Sequence, residues 1–151
     1  QILLIIRELL DNKPQSRGTD IAMALRYFSD AQKKKCAAFV ISDFIANADY
    51  KQALTIARNK HDIMALQVYD RRDAQMPDVG FMRVTDLETG TSRWIDTSSS
   101  KIRKAYDRWW YERQQQMSGI FKTCHVDYAS ISTDEDYVKA LMSLFRGRGG
   151  R

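Results

Sequence analysis

Apolar residues along this chain change period several times, and each change predicts an element. Positions 2–10 are apolar except for Arg7 and Glu8, about two turns of helix, which Asp11, Asn12, Lys13 and Pro14 end. Thr19 suits an N-cap, with Asp20 in the first turn of a second helix. Ile21, Ala24, Leu25 and Phe28 then recur at helical spacing as far as Gln32. Cys36, Ala37, Ala38, Phe39, Val40 and Ile41 follow as a continuous apolar run. Such a run is how a strand buried on both faces of a parallel sheet reads. It breaks at Ser42 and Asp43. Asp49 caps a third helix over 50–59, with Leu54, Ile56 and Ala57 inward, and after a turn at His61 and Asp62 the run 63–69 reads as a second buried strand. Strand, helix, strand at this spacing predicts a right-handed βαβ unit with parallel strands.

From Pro77 the texture changes. Positions 80–86 and 92–96 alternate, and Leu87, Glu88, Thr89 and Gly90 stand between them as a turn, which predicts a β-hairpin. Ser98, Ser99 and Ser100 cap a long helix over 101–121. Its stripe is Ile102, Tyr106, Trp109, Met117, Ile120 and Phe121, which makes Trp109 a core residue. Trp110 and Tyr111 point elsewhere, toward the hairpin or a partner. Positions 125–131 predict a last strand, and Thr133 opens a capping box before a helix over 136–145. Positions 146–151 form a Gly/Arg-rich tail expected to be disordered. The whole predicts one α/β domain over 1–145, a mostly parallel sheet with helices on both faces and a hairpin inserted over 76–97.

Composition narrows the class. The chain has 151 residues, 44% hydrophobic and 28% charged, as a soluble globular domain does. No apolar run reaches the roughly 18–20 residues of a membrane span, and the first ten residues lack the basic flank and cleavage site of a signal peptide. No membrane segment is expected here. The first residue is Gln, which suggests further sequence upstream. Cys36 and Cys124 form no Cys-x-x-Cys pair and read as free thiols in a reducing, cytoplasmic setting. The net charge of +5 is scattered, so it permits an acidic partner without demanding nucleic acid.

Candidate chemistry is sparse. Asp43 stands at the carboxyl end of the first predicted strand, where ligands bind in open α/β sheets. Asp70 and Asp73 flank Arg71 and Arg72 past the second strand, the pattern of a solvated strand end. His61 and His125 have no Ser or Cys nucleophile arranged beside them, so catalysis by either is not expected. Lys101, Arg103, Lys104, Arg108 and Arg113 around Trp109, Trp110 and Tyr111 offer a basic aromatic helix as an alternative nucleic-acid surface. A metal-dependent hydrolase built on Asp43 and Asp70 is the enzymatic alternative.

Several of these residues also carry a family resemblance. Gly18, Thr19, Asp20 and Ile21 with Ala24 and Leu25, then Val40, Ile41, Ser42, Asp43 and Phe44, resemble the second and third metal-site motifs of von Willebrand factor A-type domains. His61 to Leu66, Asp70, Met76-Pro77, Gly80, the run Asp86-Leu87-Glu88-Thr89-Gly90 and Asp96 follow in an order similar to the C-terminal half of bacterial proteins of domain-of-unknown-function family 58. The resemblance implies a three-layer, Rossmann-like von Willebrand A-like fold present in part. It also implies a non-enzymatic protein-interaction module acting with a MoxR-type AAA+ ATPase. In such domains Mg²⁺ or Mn²⁺ mediates adhesion, and Thr19 and Asp43 match two of its ligands. The Asp-x-Ser-x-Ser loop that supplies most of the others does not stand upstream of Thr19 in this sequence, and the superficial candidate, Ser98-Ser99-Ser100 after Asp96, lies far downstream and reads as a helix cap. In that fold the missing strand lies beside the 36–41 strand. Without it that strand becomes an apolar edge, and a homodimer through the edge is expected.

Overall fold

The structure, a computed structural model, describes residues 2–12, 18–45, 49–86 and 90–148. In chain order the elements are α1 (Ile2–Asp11), α2 (Ile21–Ala31), β1 (Ala37–Ser42), α3 (Lys51–Lys60), β2 (Asp62–Tyr69), α4 (Arg71–Ala74), β3 (Phe81–Thr85), β4 (Ser92–Asp96), α5 (Ser100–Thr123), β5 (Asp127–Ser132) and α6 (Tyr137–Arg148). Three strands form a wholly parallel sheet in the order β1-β2-β5, and β3 and β4 form a separate antiparallel pair. The α/β architecture, the βαβ unit and the hairpin therefore match the pattern of apolar positions.

The central strand β2 separates two cores. Ile63 and Ala65 pack with Ile21, Leu25, Ala53, Leu54, Ala57, Met117 and Phe121, from α2, α3 and α5. Met64 and Leu66, one residue out of phase, pack with Ile131 and Leu144 on the other side, the latter from α6. Alternate residues of a strand point to opposite faces, so the layers are α2/α3/α5, sheet, α6. Full burial of side chains of this size contributes about 1.5–3 kcal/mol each.

β1 departs from expectation. It was expected to be buried on both faces, yet burial alternates along it: Ala38 and Val40 face α2 and α3, while Phe39 is 45% and Ile41 66% exposed. The reason is its place at the sheet edge, with β2 alone beside it. α6 covers β2 and β5, and its Phe145 ring lies 6.1 Å from that of Phe39 on β1. α1 forms as expected but has no buried residue.

The other corrections are local. The cap of α2 is Asp20 and not Thr19, since Asp20 Oδ1 accepts from Met23 N at 2.7 Å. Likewise the N-cap of α3 is Tyr50 and not Asp49, although Asp49 Oδ1, one residue before it, accepts from Lys51 N at 2.9 Å. α6 was expected to end at Phe145 but runs to Arg148. There Arg148 donates to Asp62 at 2.5 Å and Asp127 at 2.9 Å, the residues that open β2 and β5. The rest of the predicted tail, 149–151, and the hairpin turn residues 87–89 lie outside the described residues.

The hairpin is clamped at its base by Thr97, which is fully buried. Thr97 Oγ1 donates to Gly80 O at 2.7 Å and accepts from Val79 N at 3.1 Å. Arg103 then donates to the Thr97 and Ser98 carbonyls and pairs with Asp78 at 2.9 Å. Thr97→Val keeps the shape and removes the hydroxyl, so it is expected to cost about 1 kcal/mol. Hydrogen exchange should quicken in β3 and β4 while β2 amides keep their protection; unchanged β3 and β4 rates would count against the clamp.

Candidate functional site

The carboxyl ends of the parallel strands bring Asp43, Asp70 and Thr133–Asp134 to one edge, because β1 ends at Ser42, β2 at Tyr69 and β5 at Ser132. Register supports this: Ser42 pairs with Gln67, and Tyr69 with Ser132. This is the edge at which open α/β sheets bind ligands.

Asp43 is exposed and tightly arranged. Its Oδ1 accepts from Ile45 N at 3.0 Å and stands 3.5 Å from Ser42 Oγ, and Ser42 Oγ accepts from Phe44 N at 3.1 Å. Phe44 carries φ 56, in the left-handed region that costs a bulky residue energy. The turn holds that conformation because the Phe44 ring is buried edge-on to Phe121, 5.0 Å between centroids. Below it, Gln67 is 1% exposed; its Nε2 donates to Asp43 O at 3.3 Å and its Oε1 accepts from Ser130 Oγ at 2.8 Å. One buried amide thus ties the Asp43 turn through β2 to β5. Nothing in the 63–69 run marked Gln67 as functional. The signal was a lone amide inside an apolar strand, since a buried amide must find partners.

Thr19 is exposed and its hydroxyl makes no hydrogen bond among the described residues, because the neighbouring Asp20 does the capping. Near the far end of α2, Phe28 lies 4.7 Å from His61 and Ser29 O accepts from Lys60 Nζ, both at the amino end of β2. The beginning of α2, with Thr19, therefore lies toward the carboxyl edge. Hard oxygen donors of this kind suit Mg²⁺ or Mn²⁺, and Thr19 and Asp43 would fill two positions of an octahedral cation. No group of three or more His, Cys, Asp or Glu side chains able to hold a metal occurs among the described residues.

Asp70 and Asp73, read from the sequence as a solvated strand end, make a reciprocal capping box for the short helix α4. Asp70 Oδ1 accepts from Arg72 N at 2.7 Å and Asp73 Oδ2 from Asp70 N at 3.1 Å. Asp134 is held below the usual carboxylate range chiefly by the hydrogen bond from Ser132 Oγ, with Arg71 3.8 Å away adding to it. Tyr50, beside the Asp43 turn, has its phenol pushed up to about 12, mainly by burial. It therefore stays neutral well above ordinary pH.

The aromatic residues of α5 are arranged differently from the helical stripe. Trp109 is 39% exposed, with the Arg113 guanidinium 5.8 Å over its ring, whereas Trp110 is half-buried 5.4 Å from Tyr69. Tyr111 is 64% exposed. The cause is length. The 24 residues of α5 span about 36 Å, longer than strands of six to eight residues at about 3.3 Å each. Its C-terminal half, Met117 to Phe121, lies on the sheet, and its beginning overhangs the carboxyl edge, where Tyr106 Oη donates to Asp73 O at 2.9 Å. No helix of the described residues is long and apolar enough to cross a membrane.

Comparison with known proteins shows a family without naming an activity. The family described as "Protein of unknown function DUF58" matches residues 1–116. The chain is 23% identical over 129 residues to an uncharacterised protein, MAV169, of Mycobacterium avium, covering 85% of this chain and 76% of that one. It is 24% identical over 129 residues to uncharacterised proteins of Mycobacterium bovis and Mycobacterium tuberculosis, covering 85% of this chain but 40% of theirs. The chain thus spans about two fifths of the length of these longer relatives. No solved structure matches.

Proposed function

The chain belongs to the family of proteins of unknown function DUF58, and from that membership we propose that it is part of a von Willebrand A-like interaction module whose divalent cation captures a partner protein. The observation that carries this reading is the position of Asp43: an exposed carboxylate at the carboxyl end of a parallel strand, in a turn braced by Phe44 and Gln67. Thr19 would supply a hydroxyl. A cation bound there leaves a coordination position for a carboxylate of the partner, so the role is adhesion and not catalysis. The partner implied by the family resemblance is a MoxR-type AAA+ ATPase. Trp110 and Tyr111, on the overhanging part of α5, would border the contact.

The test is capture of such an ATPase on immobilised protein at its native length, in Mg²⁺ and in EDTA. Capture is expected in Mg²⁺ alone and is expected to fall at least about tenfold in Asp43→Ala, in line with the loss of a charge-assisted contact. Equal capture in EDTA would contradict the reading.

A second reading has one observation in its favour. Trp109 stands exposed beside Arg113 on a basic helix, as a base-stacking platform would. Oligonucleotide affinity that falls steeply with salt and drops in Trp109→Ala would favour it over the first.

A further inference from the structure

At the opposite edge of the sheet, where the strands begin, a cleft of about 400 Å³ gathers both histidines of the chain with Lys35 and Arg58. None of these residues takes part in the carboxyl edge. His61 is 2% exposed; its Nδ1 lies 3.6 Å from Cys36 Sγ, and its Nε2 has no hydrogen-bond partner. A buried polar atom left unpaired is costly to the fold. In the wall of a cleft it marks a place where a ligand or water completes the bonding.

His125 carries φ 54 at the residue that closes α5. There His125 N donates to Lys122 O at 3.2 Å and Val126 N to Phe121 O at 3.0 Å, the Schellman pattern in which glycine is favoured. An imidazole held in the left-handed region here, in the lining of the same cleft as His61, is strain kept at a candidate site. Arg58 Nε donates to His125 O at 3.3 Å, which sets the guanidinium beside it.

The cleft also contains Asp62 and Asp127, and Arg148 engages both, at 2.5 Å and 2.9 Å. Lys35 and Arg58 enter no ion pair among the described residues, and with Arg148 the cleft's cations outnumber its two carboxylates by one. Lys33 and Lys34 precede Lys35 and add to the positive field.

We propose that this cleft is an oxyanion subsite that takes a phosphate group, with Lys35 and Arg58 supplying charge and His61 and His125 supplying donors. A guanidinium and an ammonium together suit a tetrahedral oxyanion, the first through its planar fork and the second as a point charge. The site is independent of Asp43 and stands whether or not the carboxyl edge holds a cation.

The test is a titration with inorganic phosphate followed by nuclear magnetic resonance of the His61 and His125 ring signals, with sodium chloride at matched ionic strength as control. Saturable shifts are expected with phosphate and none with chloride. Lys35→Ala and Arg58→Ala, both at exposed positions that leave the core intact, are each expected to weaken the affinity at least about fivefold. Lys139→Ala, on α6 and outside the cleft, should leave it unchanged. Glycerol phosphate and a short oligonucleotide form two further arms. Binding of the monoester at phosphate-like affinity points to a small phosphorylated molecule, and an oligonucleotide displaced by phosphate points to a nucleic-acid backbone; either supports the site. Shifts that follow ionic strength alone, or phosphate binding untouched in both alanine variants, would overturn it.

Discussion

Phe121→Ala is expected to destabilise the protein by about 3–5 kcal/mol, the range for removing a large aromatic side chain from a core that cannot collapse around the gap. Phe121 is fully buried, with ring centroids 5.0 Å from both Phe44 and Tyr128. It therefore joins three parts of the chain: α5, the turn after β1, and β5. The loss is a large fraction of the stability of an ordinary domain. Urea unfolding of the variant should show a lower midpoint. Phe121→Leu fills part of the space and should cost less. Because the same ring supports Phe44 in its left-handed conformation, the Asp43 turn is expected to loosen as well, with faster amide exchange at Phe44 and Ile45. A midpoint unchanged in Phe121→Ala would mean that α5 does not pack on the sheet as described.

Gln67→Leu is the second large effect, and it separates the turn from the core. Leucine nearly conserves volume and gains apolar contact. It also leaves the Asp43 carbonyl without the donor it has at 3.3 Å and Ser130 without its acceptor at 2.8 Å. Ser130 is exposed and can turn to water, so the cost falls on Asp43. Asp43 is itself exposed, so the expected net loss is about 0.5–1.5 kcal/mol, the usual net worth of one hydrogen bond. Residues that orient a metal ligand typically change affinity by roughly 10–100-fold when replaced, and a loss of cation affinity in that range is expected here. Cation affinity equal to that of the parent protein would show that Gln67 serves the fold alone.

Much of the architecture was legible because period and length carry it. The 36–41 run, the 50–59 helix and the 63–69 run locate β1, α3 and β2 to within a residue or so. The alternation around Gly90, which adopts φ 72, locates the hairpin. What was not legible depends on distance between elements. An apolar run does not say whether both faces will be covered, so β1 read as buried though Phe39 and Ile41 are exposed. A helical stripe does not say where the sheet beneath it stops, so Trp109 read as core although α5 overhangs there. Thr19 and Asp20 are both good caps, and the choice fell to the residue whose carboxylate reaches Met23 N. Asp43 was legible from its place after a strand. Gln67, the residue that anchors it, was hidden in an apolar run because its partners come from the turn after β1 and from β5.

The measurement that bears most directly on the central claim is a calorimetric titration of Mg²⁺ and Mn²⁺ into the native-length protein, alongside Asp43→Ala and Asp43→Asn. Asparagine can still accept from Ile45 N, so it keeps the turn and removes the charge. The account predicts saturable binding in the parent protein, lost in both variants while their unfolding midpoints stay close to it. Binding undiminished in Asp43→Asn, or no binding in the parent protein, would contradict it.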